Sequence, residues 1–160
     1  MLIAKRIPVF TKKTKRRMAA HPKFYFFDAG VYRAIRPKGP LDSSEDIDGA
    51  ALETLVIQEI MAMNHYRQYG YTLYFWRTAD GREVDIVLYG ERGLIAIEVK
   101  RGARLNDQMF KGLKKFIDEY PMARAFLVYG GDRTQWEGNI RVVPVADFLK
   151  NLDKALSGSL

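Results

Sequence analysis

Residues 83–89 (EVDIVLY) and 94–100 (LIAIEVK) are two apolar-rich runs separated by Gly90-Glu91-Arg92-Gly93, and this ribbon constrains the fold more than any other stretch. A short turn bounded by glycines closes an antiparallel hairpin, and its centre fixes the register. If the chain reverses between Glu91 and Arg92, Val84 faces Val99, Ile86 faces Ile97 and Leu88 faces Ile95. Every pair on that side is apolar. The same register sets Asp85 opposite Glu98 and Glu83 opposite Lys100, with Lys100 diagonal to Asp85. Directly opposed residues have Cβ atoms roughly 4.5–5.5 Å apart, and like charges there are destabilising. Two carboxylates at that range need a proton, a cationic side chain or a metal between them. Hard cations such as Mg²⁺ choose such oxygen ligands and retain several waters. A salt-bridged cluster, with Lys100 neutralising both acids beside Glu83, accounts for the same residues.

The flanking sequence supplies the other layers. Asp48 is a good N-cap for a helix over residues 49–66, where Leu52, Leu55, Val56, Ile60 and Met63 recur at helical spacing and Ile57 widens the stripe. Glu53 and Glu59 both have apolar neighbours three and four residues away, so each needs a partner when ionised, and the two compete for one role. Phe24–Phe27 predicts a short buried strand ending at Asp28-Ala29-Gly30, and Val31–Ile35 a brief helical turn. Tyr71–Arg77 predicts a strand, Asn106 or Asp107 the cap of a helix through Glu119, and Ala125–Tyr129 a buried strand. Ile140–Val145 predicts a further strand and Ala146–Leu156 a last helix. The expected architecture is α/β, a mixed central sheet flanked by helices. A right-handed parallel crossover joins residues 94 and 129.

At 160 residues the chain suits one folded domain. Its net charge of +7 is uneven. Residues 1–23 carry Lys5, Arg6, Lys12, Lys13, Lys15, Arg16, Arg17 and Lys23 without an acid, and read as a basic arm or connector ahead of a domain over 24–160. Lys100, Arg101, Arg104, Lys111, Lys114 and Lys115 form a second basic cluster. Such clusters attract polyanions by counterion release, which makes nucleic acid the partner to test, while a solvated surface that keeps the protein soluble accounts for the same charge. The absence of cysteine excludes disulfides and thiolate zinc sites and suits a reducing, cytoplasmic setting. No apolar run reaches the length of a membrane span, and the basic N-terminus does not read as a signal peptide. No GxxxxGK[ST] motif occurs, so no ATPase activity is expected of this chain alone.

Asp85 followed by Glu98-Val99-Lys100, behind a helix carrying Glu53, resembles the PD-(D/E)xK nuclease superfamily with its restriction-endonuclease-like αβββαβ core. More closely, PKFYFFDAG, GAALETLVIQEI, LYFWRTADGREVDIVL and IAIEVKRG resemble the uncharacterised C-terminal domain of bacterial and archaeal AAA-type ATPases, over about Pro8 to Leu152. The resemblance implies that Asp85 and Glu98 bind Mg²⁺ or Mn²⁺ with help from the Val99 carbonyl. It implies that Glu53 aids metal binding or orients water, and that Lys100 is the catalytic lysine. Gln108 falls where some members carry an accessory polar residue. Arg101, Arg104 and Lys111 are expected to hold a nucleic-acid backbone. Val84 departs from the proline of the family name. The implied activity is metal-dependent hydrolysis of DNA phosphodiesters, with a homodimer or an AAA-type ATPase as partner. The alternative is a non-catalytic DNA-binding or protein-interaction module on the same fold.

Overall fold

The computed structural model describes residues 4–11, 21–26, 30, 34 and 44–160. Within them helix α1 spans Ser44–Arg67, strand β3 Thr72–Arg77, β4 Glu83–Gly90 and β5 Gly93–Lys100. A 3₁₀ turn over Asp107–Phe110 leads into α2, Lys111–Glu119, followed by β6 at Arg124–Tyr129. The expected order of helix, three strands, helix and strand is therefore present. Strands β7, Gln135–Glu137, and β8, Ile140–Pro144, extend the sheet, and α3, Val145–Lys150, and α4, Leu152–Ser157, close the described chain. Two earlier strands, β1 at Ala4–Ile7 and β2 at Lys23–Phe26, form a separate antiparallel pair.

The six-stranded sheet runs β3-β4-β5-β6-β8-β7. Pairing is antiparallel across β3-β4-β5, parallel across β5-β6-β8, and antiparallel again at β7. Central strands covered on both faces read as near-continuous apolar runs rather than alternating ones. This explains LIAIEV and AFLVY, whose side chains divide between two cores. Ile95, Ile97, Phe126 and Val128 pack toward α1 and the C-terminal helices. Leu94, Ala96, Ala125 and Leu127 pack toward α2 with Leu113 and Phe116. Among the described residues, no helix is long and apolar enough to cross a membrane.

The predicted hairpin register holds from the turn inward, with Gly90 paired to Gly93, Leu88 to Ile95 and Ile86 to Ile97. It then changes. On the other edge of β4, Tyr74 pairs with Val87 but Trp76 with Val84, so Asp85 and Ile86 together oppose Phe75. This one-residue bulge reverses the alternation of side chains. Val84 consequently packs with Trp76 in the α2-side core, whereas Val99 lies in the α1-side core, and the expected Val84–Val99 pair does not form.

Several boundaries differ from expectation. Helix α1 starts at Ser44, leaving Asp48 inside it, where the carboxylate meets the Arg101 guanidinium at 3.2 Å instead of capping. Leu55 is exposed, and Thr54 takes a buried position by donating its hydroxyl to the Ala50 carbonyl at 2.8 Å. Phe24 is also exposed, because β2 presents Lys23 and Tyr25 inward. The last helix breaks at Asn151 into α3 and α4, and the short β7 was not anticipated.

Residues 4–11, placed by sequence in a basic arm, pack into the domain. Ile7 and Phe10 are 1% and 2% exposed. The Phe10 N–H donates to the Phe75 carbonyl at 2.6 Å, and the Phe75 N–H donates to the Pro8 carbonyl at 3.1 Å, tying this segment to β3. The turn expected at Val31–Ile35, apart from Ala34, and most of the basic arm lie outside the described residues.

Candidate functional site

Where β4 begins and β5 ends, the backbone ladder between them stops at the Ile86–Ile97 pair. Two carboxylates take over its hydrogen bonds. Asp85 Oδ2 accepts the Val99 N–H at 3.0 Å, and Glu98 Oε2 accepts the Asp85 N–H at 3.3 Å. Both side chains are buried, 8% and 7% exposed. Asp85 and Glu98 are thus brought together, each acting as the acceptor for the other strand's backbone rather than as a simple facing pair. The bulge at Asp85 is the local cause, since it removes the regular partner that each N–H would otherwise have.

Lys100 Nζ lies 2.6 Å from Glu98 Oε1. The expected Glu83–Lys100 pairing is absent. Glu83 instead meets the Lys23 ammonium, with the Arg77 guanidinium nitrogen 3.5 Å from its other oxygen. Lys23 Nζ also stands 3.6 Å from Glu53 Oε1 and 3.7 Å from Asp85 Oδ1, and 5.5 Å from the centre of the Phe75 ring. The Tyr25 hydroxyl donates to Glu53. Between the two candidate helix acids, Glu53 reaches this cluster, while Glu59 is exposed and lines a separate apolar hollow with Ile57 and Met61.

Lys23 and Tyr25 were not among the expected site residues, and Glu83 was expected beside the acids but opposite Lys100. The usable signal was spacing: Lys23 and Tyr25 are two apart on a strand and so share one face. A lysine and a hydroxyl on the same face of a largely aromatic strand suggest buried polar partners.

Burial dominates the electrostatics of the cluster. Burial, then the Asp85 charge, pushes the Glu98 carboxyl up to about 8 against the opposing pull of Lys100. Burial and Asp85 also raise Glu53, opposed by Lys23 and Tyr25. Burial alone would lower both lysines, but the surrounding carboxylates outweigh it and raise Lys23 and Lys100. Among the described residues, no three acidic or histidine side chains stand as a ready-made metal cage. Mg²⁺ does not demand one, since one or two carboxylates plus substrate phosphates commonly hold it. Buried hard oxygens fit such an ion in chemistry. In the geometry observed, their positive partners are ammonium groups.

A cleft of about 410 Å³ opens beside Glu98 and Lys100, bounded also by Glu83, Gln108, Lys111 and Gly112. Asn106 shapes its rim by accepting the Gln108 and Met109 N–H groups at 3.1 and 3.3 Å. A Cβ on Gly112 would stand 1.9 Å from the Glu83 carbonyl oxygen, so glycine lets α2 approach the start of β4 this closely. Of the expected backbone-holding residues, Lys111 lines the cleft. Arg104 is exposed outside it, and Arg101 is engaged with Asp48. His21 and His65 are exposed and play no part in the cluster.

No curated protein matches the chain. Residues 48–148, more than half of its length, match a family described as a domain of unknown function, DUF4143, found in AAA-ATPase-associated proteins. The chain belongs to the DUF4143 family.

Proposed function

We propose that the protein is a divalent-metal-dependent nuclease that hydrolyses DNA phosphodiester bonds in the cleft beside Lys100. The observation that carries this reading is the convergence of the buried Asp85 and Glu98 carboxylates with a lysine amine at an open cleft. Asp85 and Glu98 would hold Mg²⁺ or Mn²⁺, assisted by Glu53 and the Val99 carbonyl. Such an ion, when bound, lowers the pKa of water and polarises a phosphoryl oxygen. Lys100 shares the negative charge that develops on the phosphate or attacking oxygen. Tyr25 fixes Glu53 through its hydroxyl, and Lys111 draws the DNA backbone into the cleft without reading sequence.

A specific observation favours a second reading. The Lys23 ammonium already sits among Glu53, Glu83 and Asp85, as expected of a non-catalytic module whose acids serve stability while it binds DNA or an AAA-type ATPase. Incubation of the purified protein with linear, branched and single-stranded DNA in Mg²⁺ or Mn²⁺ separates the two. Cleavage abolished by Asp85→Asn and by Lys100→Met, with native circular dichroism retained, supports the nuclease. Binding without cleavage under either ion rejects it. In the binding assay Lys111→Ala should lower the slope of log affinity against log salt by about 1.

A further inference from the structure

We propose that Lys23 is a tethered counter-cation that holds the carboxylate cluster in the metal-free protein and must withdraw before a divalent ion can enter. This inference rests on the metal-dependent reading above and assigns its regulation to a residue outside the matched family region.

Three carboxylates on two elements converge on this one amine: Glu53 from α1, and Glu83 and Asp85 from β4. Two of them, Glu53 and Asp85, belong to the set expected to hold the metal, so amine and ion compete for the same oxygens. Lys100 pairs with one carboxylate only, Glu98, and stands on the cleft side, whereas Lys23 sits among three. Lys23 reaches the cluster from β2, a strand bonded to β1 and not to the main sheet. The amine is a compact charge on a flexible four-carbon stem, so rotamer changes alone can move it. Its side chain is about one-quarter exposed, which gives it a route to solvent. Tyr25 keeps Glu53 in place by an uncharged bond and does not compete. The hairpin that carries both residues therefore supplies one group that preserves the site and one that closes it.

The test is Mn²⁺ binding to the full chain without DNA, read from the electron paramagnetic resonance signal of free Mn²⁺. Lys23→Met should bind Mn²⁺ at least about tenfold more tightly than the unsubstituted protein, because one competing charge is gone. Lys23→Arg should stay near the unsubstituted affinity, and Asp85→Asn should remove the binding. Equal or weaker binding by a natively folded Lys23→Met overturns the role of Lys23 and leaves the metal site standing. No Mn²⁺ binding by any variant overturns the metal site and this inference with it. Should Lys23→Met not fold, reductive ¹³C-methylation of the native chain, which retains the charge, supplies a second measurement. The Lys23 methyl resonance should shift on Mg²⁺ addition. A resonance unmoved while Mg²⁺ binds refutes the competition.

Discussion

Gly112→Ala sets two physical effects against each other with opposite signs. Helix propensity alone favours alanine by about 0.5–1 kcal/mol, toward the low end here because Gly112 lies in the first turn of α2. Packing opposes it. The added Cβ would lie 1.9 Å from the Glu83 carbonyl oxygen and 3.0 Å from its carbon, and both are backbone atoms that no rotamer change can move. Either α2 retreats from β4 or β4 shifts beneath it. Overpacking of this kind costs about 1–3 kcal/mol, sometimes more. A net loss of about 2 kcal/mol corresponds, for a chain of this size, to a Tm lower by about 4–8 °C. Thermal and urea unfolding followed by circular dichroism measure it directly. A Gly112→Ala protein that is more stable than the native one would refute the argument, since propensity would then have outweighed the close approach.

Glu98 moves from an ordinary 4.5 to about 8 on folding, so between those values the folded chain holds a proton that the unfolded chain releases. In chelator at low salt, stability should therefore decline as pH rises from about 5 to 8, and Glu98→Gln should flatten the decline; a native profile that rises across this window contradicts the assignment. Phe10→Ala should destabilise by about 3–5 kcal/mol in urea unfolding. The Phe10 ring meets Tyr74 and Tyr120 at 5.4 Å and Phe116 at 6.1 Å between centroids, whereas a loosely attached arm would change stability by less than about 0.5 kcal/mol.

What could be read in the sequence follows the range of the interactions. The β4–β5 pairing was legible because a local turn fixes its register and Leu88, Ile95, Ile86 and Ile97 confirm it by apolarity. The order of elements was legible because helical apolar spacing marks the helices and short apolar runs bounded by turn residues mark the strands. The bulge was not. It arises between β3 and β4, and no residue type marks Asp85 as the point where alternation reverses. Lys23 was equally hidden, since its partners Glu53, Glu83 and Asp85 lie 30 to 62 positions further along the chain. Ile7 and Phe10 stand among lysines and arginines, and their charge pattern concealed two buried anchors. Asp48 was misread because a helix start and a partner for Arg101 draw on the same carboxylate chemistry.

The hairpin of β1 and β2 lies ahead of residues 48–148 yet delivers an amine and a phenol to acids within them. A fragment starting at residue 48 would keep Glu53, Glu83 and Asp85 but lose the Lys23 ammonium and the Tyr25 hydroxyl that meet them, along with Ile7 and Phe10 from the interior. The boundary of the shared sequence therefore falls inside the packed unit and not at its edge.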